Sequence, residues 1–153
     1  MSAVRVIVCE RRDLWAPALR AALGEAIAVR SVRSLTECDR ELDDTPGALV
    51  AAELTADAAG RLCEFIGRLG DRRRSVRVIA LAERALAEHE WRLREAGAVH
   101  FETSPRRLAA LAALVARQRS EPGATARSTR ERIWARLPWP GAGGGTFTKD
   151  MSR

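Results

Sequence analysis

Three patterns in the sequence could carry chemistry. The glycine run "GAGGG" (141–145) could cradle a phosphate, His89 and His100 with Cys9, Cys38 and Cys63 could ligate a metal, and the arginines of "RLGDRRRSVR" (68–77) could neutralise nucleic-acid phosphates. Each falls short on spacing. The glycines follow no strand, open no helix and lack the lysine-hydroxyl ending of a nucleotide-binding P-loop, so they read as linker. Both histidines stand alone, without a Cys or Asp cluster beside them, which suits surface or packing roles. The cysteines are odd in number and widely spaced, with no CxxC pair, so reduced packing thiols are expected and no metal. The arginine run lies between a helical and an extended pattern without interleaved aromatics, as a solvated turn does. With no nucleophile elbow and no paired-carboxylate motif, the residues point to no enzyme and no cofactor.

The elements that would position any site are clearer. Hydrophobic periodicity divides residues 4–120 into alternating strands and helices. Strands are predicted over "VRVIVCE" (4–10), "IAVRSVRS" (27–34), "ALVAAEL" (48–54), "VRVIALA" (76–82) and "AVHFET" (98–103). Helices are predicted over 13–25, with Asp13 as cap and Gly24 near its end, then 35–46, 56–74, 83–97 and 105–121. Pro17 is early enough in the first helix to be tolerated, and Pro46 stops the second. Strict alternation with strands apolar enough for full burial implies a parallel sheet covered on both faces, a three-layer α/β/α domain over residues 1–120.

Residues 121–153 break the pattern. They are Gly-, Pro- and Arg-rich and predict disorder, interrupted at 129–140 by a short motif in which Ile133 and Leu137 lie one helical turn apart beside Trp134 and Trp139. The chain carries a formal charge of +6, and all but one of its 26 basic residues are arginine. Residues 1–120 hold 20 basic and 17 acidic side chains and residues 121–153 hold 6 and 3, so the tail has the higher charge density. No apolar run reaches the twenty or so residues of a membrane span, and the N-terminus lacks a secretory signal, so a cytoplasmic protein is expected.

The domain resembles the receiver domain of bacterial response regulators. The likeness covers about residues 4–120 and rests on "RVIVCERRDLWAPALRAAL", on "GALVAAELTADAAG" and most of all on "REAGAVHFETSP", an alanine-glycine-alanine ending before a strand with an aromatic residue and a proline. It implies a CheY-like, flavodoxin-like fold with strand order 2-1-3-4-5. It also implies where chemistry should sit, and there this sequence departs. The phosphoacceptor aspartate falls on Ala52, with Glu53 beside it. The acidic pair that holds magnesium falls on Glu10 and Arg11, the hydroxyl on Ala82 and the lysine on Ser104. One carboxylate beside a guanidinium is a poor magnesium cage, and nothing remains to accept or neutralise a phosphoryl group. The resemblance is therefore to a degenerate receiver, and Arg11 is read as solvated, as pairing with Glu10 or Glu53, or as holding an anion.

Interaction surfaces are what is left. The resemblance implies dimerisation or output contacts on the fourth helix, fifth strand and fifth helix, where Trp91, Phe101, Leu111 and Leu114 lie. The tail motif Ile133, Trp134, Leu137 and Trp139 suits a short helix-in-groove recognition peptide or a segment that docks on its own domain. The expected function is phosphorylation-independent interaction with an unidentified protein partner or a second copy. The alternative is a nucleic-acid-associated regulator using the basic tail, and no membrane is involved.

Overall fold

The five apolar runs pair as a single parallel sheet. The structure, a computed structural model, describes residues 5–45, 47–73 and 75–120. Strands β1 (Arg5–Cys9), β2 (Ala28–Val32), β3 (Leu49–Glu53), β4 (Arg77–Leu81) and β5 (His100–Glu102) lie in the order β2-β1-β3-β4-β5. Helices α1 (Trp15–Leu23), α2 (Leu35–Asp44), α3 (Ala59–Arg72), α4 (Glu90–Ala96) and α5 (Ala109–Ser120) follow the strands in turn. This is the flavodoxin-like order that the resemblance implied.

Alternation of side chains along each strand builds two cores. Ile7, Cys9, Val50, Ala52, Val78 and Ala80 pack with Cys38 and Leu42 of α2, the Leu62, Phe65, Ile66 and Leu69 row of α3 and Leu93 of α4. On the opposite face Val6, Val8, Leu49, Ala51, Ile79 and Leu81 pack with Trp15 and Leu19 of α1 and Leu111 and Val115 of α5. Because β1, β3 and β4 are covered on both faces, their sequences are continuously apolar. The edge strand β2 exposes Ala28 and Arg30, which explains its weak pattern.

Helix ends set the loops that matter for function. Ser34 caps α2 by accepting from the Glu37 amide at 3.1 Å, while the Glu37 carboxylate accepts from the amide of Arg33, the residue before the cap, at 2.8 Å, an arrangement close to a capping box. Gly97 ends α4 at φ +121°, a conformation that side chains rarely adopt, and its amide and that of Ala98 bond back to Arg94 and Leu93. That geometry accounts for the glycine between the two alanines.

Three expectations need correction. Asp13 does not cap α1; Leu14 holds the cap position without a side-chain bond, and Asp13 faces Arg33 instead. The fourth helix is not continuous over 83–97. Residues Arg84–His89 form a tighter 3-10 turn in which no residue is fully buried, though Leu86 packs partly against the core. The fifth helix begins at Ala109, because the preceding residues turn through Pro105 with the Arg107 amide bonded to Ser104 O at 3.0 Å.

Candidate functional site

The chain order reverses between β1 and β3, and the crevice beyond their carboxyl ends is where α/β sheets of this kind bind ligands. Glu10 stands there, just past β1, yet it is 1% exposed. Its Oε2 accepts from the amides of Leu14 at 3.0 Å and Trp15 at 2.7 Å, and its Oε1 from the amide of Ala16 at 2.9 Å. The carboxylate thus satisfies the open amides at the start of α1 and lies at the positive end of the helix dipole. Both oxygens are engaged, so Glu10 does not fit a magnesium cage.

The loop after β1 is tied to its neighbours on three sides. The Arg11 amide donates to Glu53 Oε2 at 2.9 Å, so Glu53 meets the backbone of Arg11 and not its guanidinium. Arg33, just past β2, donates through Nη1 to Arg11 O at 2.8 Å and through Nη2 to Asp13 Oδ2 at 2.7 Å. Arg12 pairs with Glu83 beyond β4. Each guanidinium is held further into its charged form by its partner, Arg12 by Glu83 and Arg33 by Asp13.

The other positions to which the resemblance pointed are Ala52, Ala82 and Ser104. Ala52 is 0% exposed and sits in the sheet between Cys9 and Ala80. Ala82 is equally buried. Ser104 stands after β5, its amide donating to Glu102 Oε1 at 2.9 Å and its Oγ accepting from the Arg106 amide at 3.3 Å. Glu102 also accepts from the Thr103 amide at 2.8 Å and lies 3.8 Å from Arg107 Nη2 and 3.7 Å from His100 Nε2. Among the described residues no group of His, Cys, Asp or Glu could hold a metal ion. Burial raises the Cys9 thiol to about 11, with the carboxylates of Glu37, Glu53 and Glu10 adding to the effect, and burial likewise raises that of Cys38. Both are inert packing thiols at neutral pH.

No family model and no curated protein sequence matches the chain. Solved structures do. A response regulator from Thermotoga maritima superposes with a TM-score of 0.67 at 20% identity, over 78% of this chain and 100% of that one. The CheY-like protein tadZ from Pseudomonas aeruginosa PAO1 gives 0.62 at 20% identity, over 75% and 94%. An atypical orphan response regulator, whose structure is described as revealing a phosphorylation-independent regulatory mechanism, gives the same score, identity and coverage. This chain has the receiver fold.

Within that receiver fold, the four expected surface residues divide. Trp91 on α4 is 65% exposed, and Leu114 is half-buried. Phe101 and Leu111 are not surface residues: Phe101 packs into the core beneath α4, and Leu111 is 0% exposed, turned to the sheet one helical turn before Val115. Ile133, Trp134, Leu137 and Trp139 lie outside the described residues. In the arginine run, Arg73 donates to Leu42 O at 2.7 Å and pairs with Asp43, tying α3 to the end of α2. No helix among the described residues is long and apolar enough to cross a membrane.

Sequence reasoning missed Glu10 as a helix cap, the buried Glu102 and the bridging roles of Arg12, Arg33 and Glu83. Only Glu37 had a local signal, in the Ser-x-x-Glu spacing of "SLTE".

Proposed function

We propose that this chain is a pseudo-receiver, a phosphorylation-independent protein-interaction module of bacterial cytoplasmic signalling, with residues 1–120 as its domain and 121–153 as a partner-binding tail. One observation carries the reading: the acceptor position is a fully buried alanine, Ala52, while the nearest retained acidic position, Glu10, has both oxygens bonded to α1. A domain without nucleophile or metal cage keeps its surfaces, and surfaces are what remain for function. The orphan regulator with the same fold offers a precedent for regulation without phosphorylation.

Two surfaces are assigned. Trp91, exposed on α4, forms the domain surface, suited to a partner or a second copy. The tail motif around Trp134 and Trp139 forms the other.

The test is affinity capture from native extract at moderate salt with the full chain, a Trp91→Ala variant and a Trp134→Ala, Trp139→Ala variant. Salt-tolerant capture of one protein that either variant abolishes supports the reading and identifies the surface. Retention of DNA or RNA that vanishes with added salt and with the tail arginines would replace it with the nucleic-acid reading.

A further inference from the structure

We draw no further inference here: the strongest candidate, the open groove between α1 and α5 lined by Ala18, Ala21, Ala22, Leu108, Ala109 and Ala112, is a stripe of small side chains, and nothing in the structure shows what covers it.

Discussion

The Glu10 carboxylate accepts a hydrogen bond of 2.7 Å from the amide of Trp15, whose indole is buried against the sheet. A residue at a position associated with metal binding thus holds the first turn of α1 to the end of β1. Its removal leaves three helix amides without their acceptor.

Replacing Glu10 should therefore act on stability. Glu10→Ala is expected to lower unfolding free energy by roughly 2–3 kcal/mol, with Glu10→Gln losing less because its amide oxygen still accepts. Urea unfolding of the two variants measures this, and equal stability of all three proteins would show that the carboxylate is not the cap.

An aspartate at position 52 should not confer phosphotransfer. Ala52→Asp puts a carboxylate at a 0% exposed position between Cys9 and Ala80. A cost of several kcal/mol is expected, on the order of the penalty for an unpaired buried ion. Incubation with acetyl phosphate and magnesium, followed by intact mass, should reveal no phosphorylated species.

The Arg12–Glu83 pair crosses from the loop after β1 to the segment after β4, and both side chains are more than half exposed, at 68% and 56%. Pairs of this kind contribute little, so Glu83→Gln should leave the urea unfolding midpoint nearly unchanged, and more nearly so in high salt. Arg33→Ala should cost more, because it breaks bonds to both Asp13 and the Arg11 carbonyl.

Alkaline pH should destabilise the fold through its buried thiols. The folded protein keeps the Cys9 proton to about pH 11 instead of the ordinary 9.0, so between these values the unfolded chain binds fewer protons. The stabilising contribution is complete below pH 9.0 and is lost as the pH rises through about 11. The slope is at most about 1.4 kcal/mol per pH unit for one thiol. Cys38 acts in the same direction. Urea midpoints across this window should fall, and Cys9→Ala should flatten the fall.

Gly97 gives a further test of the receiver-like ending. At φ +121° any side chain is strained, and an added Cβ would meet Ile66 Cγ2 at 3.4 Å. Gly97→Ala is expected to cost about 1 kcal/mol or more, seen as a lower unfolding midpoint.

What could be read from the sequence follows the range of the interactions. "VRVIVC" and "ALVAAEL" announce strands because a strand buried on both faces is apolar throughout, and Leu62, Phe65, Ile66 and Leu69 announce a helix because they repeat within it. The residue types at Ala52, Ala82 and Ser104, where the resemblance implied an aspartate, a hydroxyl and a lysine, were legible. Pairings were not: Arg12 and Glu83 lie 71 positions apart, and nothing near either indicates the other. Phe101 and Leu111 were mistaken for surface because their faces depend on which helices cover the sheet there. Asp13 was mistaken for the cap of α1 because it has the residue type of a cap, whereas Glu10 reaches the same amides from the strand.

Cys9, Ala52 and Ala80 lie side by side across β1, β3 and β4, a row of small side chains beneath α2 and α3. Alanine and aspartate codons can differ by one base, so this sequence stands one mutation from an aspartate at position 52. That mutant would first meet selection as a less stable protein. The packing of this row therefore sets the cost in stability of any larger or charged side chain placed there.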